Sequence, residues 1–457
     1  MRRAAVVLAA LAAGCGGVEP DVARLRDAAG LPAPIVLIVI DSLRADHTSL
    51  FGYARDTTPW LAEVARHAFV FERAYANASW TRPSMATLLT SRLPESHGCE
   101  GRDGCLAPTL DTLPEVLAAR GWDTRAVVAN GNLAPVWGFA QGWAEYLCVT
   151  GRPLWPYAEA ACLAPVVRET ISRLKAPPFL LHLHYVDPHD PWMPHPEHDF
   201  DPGYAGTFDG SLTSLEPFRR REPSPANRQR AIDLYDGEIA YVDQQIREQL
   251  RTLADTGLLD ACWLVVTADH GEGLWDHLVQ GHCEEVFEPQ IRVPLVIRPP
   301  GGLLAERRIS QPIALIDLAP TLLELVGAPS PADFEGRSWA PFLLGTGPAP
   351  ERPIIVNERV DDIDLAAVVD GRRKLIVDAR AGRAMFYDLV TNPQEREDLA
   401  SDLARDPLPP ALESRGVLER AMAAARAARP APARVAPEAV PPDVAEQLRA
   451  MGYTGGR

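Results

Sequence analysis

Four side chains carry the chemical interest of this chain: Asp41, Thr81, Asp269 and His270. Asp41 ends the apolar run Ile35-Val36-Leu37-Ile38-Val39-Ile40, and Asp269-His270-Gly271 ends Trp263-Leu264-Val265-Val266-Thr267-Ala268. Between them lies Ser79-Trp80-Thr81-Arg82-Pro83-Ser84, a hydroxyl just ahead of a proline suited to a helix's first turn. Carboxylates, a hydroxyl and an imidazole are the components of a divalent-cation site that turns an alcohol into a nucleophile. If they converge, the expected reaction is attack on a tetrahedral anionic ester. Hard carboxylates with one imidazole suit one Ca²⁺, Mn²⁺ or Mg²⁺, with Zn²⁺ also compatible. Taken singly, each feature is ordinary, since an acid after a strand or a Thr before a helix serves as a cap. Two acid-ended runs in one chain raise the reading above that.

The elements that must position these groups alternate in type. Strand-like runs fall at 35–40, 124–129, 179–186, 262–268 and 293–298. Helical runs fall near 58–67, 83–91, 110–120, 158–174, 229–256 and 316–326. Short Val/Ile/Leu-rich strands separated by helices predict an α/β fold, a doubly wound and mainly parallel sheet covered on both faces. Ligands of such sheets collect beyond the carboxyl ends of the strands. Asp41 and Asp269 occupy that rim, and so does Asp187 after Leu180-Leu181-His182-Leu183-His184-Tyr185-Val186. Arg82 and Ser84 are candidate substrate contacts, because the helix start at Pro83 leaves peptide N–H groups to meet an anion, and Asp187 is a third through its place on the rim. His182, His184 and His277 read as neutral, hydrogen-bonded structural imidazoles.

The catalytic unit spans 34–345 on this reading. A Pro- and Gly-rich stretch at 341–353 marks a boundary. A small C-terminal antiparallel α+β subdomain follows at 352–400, with strand candidates at 354–356, 365–369 and 374–377. Residues 401–457 form an Ala/Arg/Pro-rich tail, and no internal repeat is present.

With 457 residues, 47% of them hydrophobic, the chain is long enough for one large domain and an appendage. Its 61 acids against 45 basic residues give a net charge of −16, which argues against nucleic-acid binding through phosphate neutralisation. Residues 1–14 have the form of an export signal: Met1-Arg2-Arg3, an apolar stretch from Ala4 to Ala13, then Gly14. Leu11-Ala12-Ala13-Gly14-Cys15 resembles a bacterial lipobox. That implies lipidation at Cys15, a tether at 15–33 and a periplasmic or outer-membrane lipoprotein of a Gram-negative bacterium. Ordinary signal cleavage, with Cys15 incidental, is the alternative. A lipid at Cys15 would be the chain's sole membrane contact. Six cysteines remain, an even count that permits disulfides after export. Cys99 with Cys105 is the pair easiest to defend; Cys148 with Cys162 and Cys262 with Cys283 follow from proximity.

Longer motifs now align. Val39-Ile40-Asp41-Ser42-Leu43-Arg44, Phe51-Gly52-Tyr53, Ser79-Trp80-Thr81-Arg82-Pro83-Ser84, Asp187-Pro188-His189-Asp190-Pro191-Trp192, Asp269-His270-Gly271-Glu272 and Val293-Pro294-Leu295 stand in one order. Together they resemble the sulfatase family of the alkaline phosphatase superfamily, from about residue 34 to the C-terminus. The resemblance implies that Asp41, Asp269 and His270 are metal ligands, and that Thr81 is both ligand and nucleophile. It implies that His189 contacts the anionic group or leaving oxygen, and that His282 stands where members place a cationic or imidazole group against substrate.

The departures from that family are informative. Sulfatases oxidise a Cys or Ser to formylglycine within a Cys/Ser-x-Pro-Ser-Arg run. Here Thr81 stands first and Met85 replaces the Arg, so no formylglycine is expected. Ser42 replaces a second Asp, and Ala129-Asn130-Gly131-Asn132 occupies a segment that usually carries a Lys and a His, with Asn130 a further candidate substrate contact. A Thr ester cannot collapse to an aldehyde, so water must displace the trapped group directly. The expected activity is hydrolysis of a small sulfate or phosphate-type ester through a covalent Thr81 intermediate. Phosphoryl substrates are somewhat favoured, and glycan- or lipid-linked forms are left open. Two alternatives remain: transfer of the phospho-group to a lipid or glycan hydroxyl, and a non-catalytic binding lipoprotein.

Overall fold

The computed structural model describes residues 32–149, 158–175, 177–277, 279–302, 304–400, 416, 437 and 439–450. The leader, Cys15 and most of the tail lie outside the described residues.

The main sheet contains, in chain order, β1 (Ile35–Ile40), β2 (Phe69–Tyr75), β3 (Asp123–Val128), β4 (Glu145–Cys148), β5 (Phe179–Tyr185) and β6 (Trp263–Ala268). Two short strands, β7 (Gly273–Leu274) and β8 (Gln280–Gly281), pair separately with each other. The sheet then takes β9 (Arg292–Arg298), β10 (Arg307–Ile309) and β11 (Ile313–Ala314). Its order is β10-β2-β9-β6-β1-β5-β3-β4, with β11 also on β2. β1 lies at the centre, parallel to β5 on one side and β6 on the other. All six of its residues are buried, as expected of a continuous apolar run with helices on both faces. Its neighbours put Ile40, Tyr185 and Ala268 in register, so Asp41 and Asp269 emerge side by side. The expected α/β architecture is present, with one reversal: β9 runs antiparallel to both β6 and β2.

The strands at 35–40, 124–129, 179–186, 262–268 and 293–298 appear within one residue of expectation. β2 and β4 were not anticipated. β2 has a three-residue apolar start and then turns polar at Glu72-Arg73, while β4 is a four-residue edge strand whose residues are only partly buried. Neither offers the sustained pattern by which strands are recognised.

Four antiparallel strands form the C-terminal sheet in sequential order: β12 (Ile354–Val360), β13 (Ile363–Asp370), β14 (Arg373–Asp378) and β15 (Arg383–Asp388). It joins the body through buried polar contacts. Lys374 Nζ, fully buried on β14, lies 2.8 Å from Glu395 and 3.3 Å from Glu288 of the body. Glu358 of β12 reaches the segment leading into Thr81 and accepts from Ser79 N at 2.9 Å and Ser79 Oγ at 2.8 Å.

The expected disulfides are corrected: none of the six described cysteines forms one. Cys99 and Cys105 each point their thiol at backbone carbonyls of the surrounding loops, Gly104 O for Cys99 and Val136 O for Cys105. Cys148 ends β4 while Cys162 sits on the exposed face of the helix Ala160–Ser172. Cys262 precedes β6, whereas Cys283 hydrogen-bonds Ser79 at the other end of that strand. A full strand length of six residues, roughly 20 Å, separates the two ends.

Candidate active site

Asp41 and Asp269 leave adjacent parallel strands, and their carboxylates meet without exposure to solvent. Ser42 links them. Its backbone N lies 3.3 Å from Asp269 Oδ1, and its hydroxyl donates to Asp41 Oδ1 at 2.9 Å. This requires a left-handed backbone at Ser42 (φ 59°), an unusual conformation for a side-chain-bearing residue and one associated with functional sites. The serine that replaces an acid therefore has a task of its own, orienting the two carboxylates that remain.

Thr81 opens the helix Thr81–Thr90, every residue of which is buried. Its Oγ1 lies 3.3 Å from Asp41 Oδ2, 3.4 Å from His270 Nε2 and 3.3 Å from Asn130 Nδ2. Asn130 follows β3, and its amide also donates to Asp41 Oδ2 at 2.6 Å, while its Oδ1 accepts from Asn132 N. His270 Nε2 lies 3.4 Å from Asp41 Oδ1 and 3.7 Å from Asp269 Oδ2. Its Nδ1 is held by Gly271 O at 2.8 Å, which aims Nε2 inward. Burial would raise the Asp269 carboxyl, but His270 and His184 pull it down to about 2. Asp41, Thr81, Asp269, His270 and Asn130 are thus brought together as one cluster.

A row of imidazoles extends from it. His282 packs against His270 at 4.4 Å between ring centroids, and His189 against His282 at 4.8 Å. The two outer rings are tuned oppositely. Burial opposes charge on His189, yet its hydrogen bond with Asp190 and the nearby Asp41 raise it to about 10. Arg219 in turn pairs with Asp190. His282 is lowered well below the usual imidazole value by burial and by His270 and His189, and its Nδ1 faces Glu272 at 3.3 Å. Glu272 is fully buried, and burial and then Asp190 push it up to about 8.

The other candidate contacts lie elsewhere. Arg82 turns away from Thr81: it donates to Arg102 O, Gly104 O and Asn132 Oδ1 and stacks on Trp137 at 3.6 Å. Ser84 Oγ donates to Asp269 O at 2.5 Å, so it fixes the strand end rather than facing an open site. Asp187 caps the helix Ala160–Ser172 by accepting from Ala160 N at 3.0 Å. Burial, with Glu238 adding, raises it far above the carboxylate range. At Asp187 a local cap outcompeted the rim position, and at Ser84 a local brace outcompeted the helix start, that had singled these residues out.

Among the three histidines expected to be structural, His182 conforms. Its Nδ1 lies 3.1 Å from Leu37 O, and its ring stacks near Trp143. His277 stacks on Phe287 at 3.7 Å, but its Nε2 makes no hydrogen bond. His184 departs most: it is fully buried, neither ring nitrogen is hydrogen-bonded, and Nε2 lies 3.6 Å from Asp269 Oδ2. Ser42, Glu272 and His184 are the side chains at this cluster that the sequence reading did not place there. For the last, the available signal was its strand parity, which places it beside residues two steps before Asp41 and Asn130.

The sulfatase family model matches residues 34–328, and a model described as N-sulphoglucosamine sulphohydrolase, C-terminal, matches residues 284–419. Human arylsulfatase A is 27% identical over 375 residues, which cover 72% of this chain and 71% of that protein. The crystal structure of a phosphonate monoester hydrolase of Agrobacterium radiobacter superposes with a TM-score of 0.70 at 22% identity, covering 86% and 96% of the two chains. A protein solved in complex with its substrate D-glucosamine-2-N,6-O-disulfate superposes with a TM-score of 0.71 at 19% identity, covering 87% and 99%. The match over 34–328 takes in every group gathered around Thr81, and the chain belongs to the sulfatase family of the alkaline phosphatase superfamily, as a sulfatase-like ester hydrolase.

Proposed function

We propose that Thr81 is the nucleophile of a two-step ester hydrolysis, and that phosphoryl-type esters are favoured over sulfate. The observation that carries this is the position of Thr81 Oγ1, within 3.4 Å of Asp41, Asn130 and His270 at a helix start. The residues present fit a divalent cation, since Asp269 Oδ2 is buried without a hydrogen bond beside the Asp41 carboxylate. Asp41, Thr81, Asp269 and His270 would hold it. Bound there, it lowers the pKa of the hydroxyl and offsets charge on the transferring group.

The chain's own groups do the rest. Thr81 Oγ gives its proton to solvent water and bonds to phosphorus as the bond to the leaving oxygen breaks. His189 is kept protonated by Asp190 and is the proton donor for that oxygen. Its Nδ1 is tied to Asp190, so the proton leaves from Nε2. Neutral His189 then takes a proton from water as the water oxygen attacks phosphorus. The Thr81 Oγ–P bond breaks, and Thr81 regains from solvent water the proton it released in the first step. Asn130 donates to both Thr81 Oγ1 and Asp41 Oδ2 and so holds the two together, and His282, kept neutral, adds no charge beside His189. Matching an acid and a neutral partner by environment is how such sites divide proton work. A substrate ester carried on a sugar fits the sulfated glycan bound by the structural neighbour, and export with lipidation at Cys15 rests on residues 1–15 alone.

The test is turnover of aryl phosphate, phosphodiester, phosphonate and sulfate esters by wild type, Thr81→Ser and Thr81→Ala, with mass analysis of the acid-quenched protein. Phosphoryl turnover should exceed sulfate turnover, the Thr81 peptide should carry a phosphoryl group, and Thr81→Ala should lose both. Wild-type turnover in Thr81→Ala, or a preference for sulfate, would refute the proposal.

A further inference from the structure

His184 presents a buried imidazole that the chemistry above does not use. It sits on β5, in register with Val39 of β1 and Val128 of β3, two residues before Asp41 and Asn130 respectively. The ring is fully buried. Nε2 lies 3.6 Å from Asp269 Oδ2 and 4.0 Å from Asp41 Oδ2, and neither nitrogen makes a hydrogen bond. Asp269 Oδ2, which it faces, makes none either. His182, two residues earlier on the same face, shows the ordinary solution, a hydrogen bond to a strand carbonyl. A buried imidazole that faces two carboxylates at 3.6–4.0 Å without closing a hydrogen bond to either calls for an explanation, and an ion between them is one of the few available. Here the explanation is geometric: one ligand atom each from Asp41, His184 and Asp269 lies within 4.8 Å of the others.

We infer that His184 is a further ligand of the cation held by Asp41 and Asp269, and that it makes the site selective for a borderline transition ion over calcium. The inference rests on the proposed cation site and adds to it a ligand from the strand below. With His270 the donor set becomes two imidazoles, two carboxylates and a hydroxyl. Imidazole suits zinc and neighbouring transition ions, whereas calcium takes oxygen ligands almost exclusively. The sequence pattern alone, with one imidazole, left calcium, manganese and magnesium equally open; the second imidazole removes that equality.

The experiment uses the full chain stripped of metal, as wild type, His184→Ala and His184→Gln, with folding checked by near-ultraviolet circular dichroism. Affinities for Zn²⁺ and Ca²⁺ are measured by competition with a chromophoric chelator, and the visible spectrum of the Co²⁺ form is recorded. His184→Ala should lose Zn²⁺ affinity by about tenfold or more, on the scale of ligand-support losses, while Ca²⁺ affinity stays unchanged. The Co²⁺ bands should shift between wild type and His184→Ala. Equal losses for both ions, no loss for either, or full recovery of Zn²⁺ affinity by Gln would overturn the inference, since His184 would then be a hydrogen-bond donor to Asp269 or a bystander. Those results leave the cation site itself standing. A wild-type protein that binds neither ion would instead overturn the site on which both readings rest.

Discussion

Acidification should loosen the helix that carries Thr81, and His97 is the group through which it acts. His97 is fully buried behind that helix. Its Nδ1 accepts from Cys99 N at 3.0 Å and therefore carries no proton. The ring proton is on Nε2, 3.1 Å from Thr87 Oγ1 and 3.2 Å from Pro83 O, both on the helix Thr81–Thr90. Protonating Nδ1 would set one N–H against another. Burial, with Arg92 adding, accordingly lowers His97 from 6.5 to about 3. The unfolded chain binds a proton below 6.5 that the folded chain refuses until about 3, so the stabilisation is complete above 6.5 and lost as pH falls through that window. The slope approaches one proton, about 1.4 kcal/mol per pH unit, with a ceiling on the order of 5 kcal/mol. Buried acids raised to about 8, Glu272 and Glu358 among them, act in the opposite direction, so wild type alone gives a composite curve. The assay is urea unfolding of wild type and His97→Gln across this range, because Gln offers an amide in place of the ring and does not ionise. The difference curve should be flat above about pH 6.5 and fall below it at close to one proton. A difference curve that stays flat through the acid range would refute the argument.

Other consequences are accessible to simpler measurements. Lys374→Met leaves the buried Glu395 and the partly exposed Glu288 without their cation and should cost about 3–5 kcal/mol, with Glu395→Gln restoring part of it; a change inside experimental error would show that the pair is not what joins sheet and body. Asn130→Ala removes the amide that steadies both Thr81 and Asp41, so kcat should fall roughly 10–100-fold with little change in KM. Prolonged chelation should abolish turnover and lower the unfolding midpoint, because a cation present at 100-fold above its Kd stabilises by about 2.7 kcal/mol. Full activity after verified metal removal would exclude the cation site.

How far the chain could be read in advance varied by residue. Asp41, Asp269 and His270 were legible because they follow apolar runs whose ends a parallel sheet sends to one rim, and Thr81 because it stands just ahead of a proline suited to a helix's first turn. Arg82, Ser84 and Asp187 carried equally good local signals yet were claimed by Trp137, Asp269 O and the Ala160 N–H respectively. His184 departs from the expected hydrogen-bonded imidazole for the converse reason. On a strand buried on both faces, nothing local separates an imidazole that meets a carbonyl from one that meets two carboxylates.

By itself, then, the sequence determined the α/β class, the central strands, the acid-ended rim and the hydroxyl placed ahead of a helix, because these depend on short-range pattern. Only the tertiary structure decided the reversal of β9, the missing disulfides, the Ser42 bridge between the two acids, and the contact of His184 with Asp269. All of these depend on where residues far apart in the chain come to lie: Ser42 is 227 positions from Asp269, and the contact of Glu358 with Ser79 spans 279 in the same way. Local propensity has no access to such separations, whereas the register of a sheet specifies them to the residue.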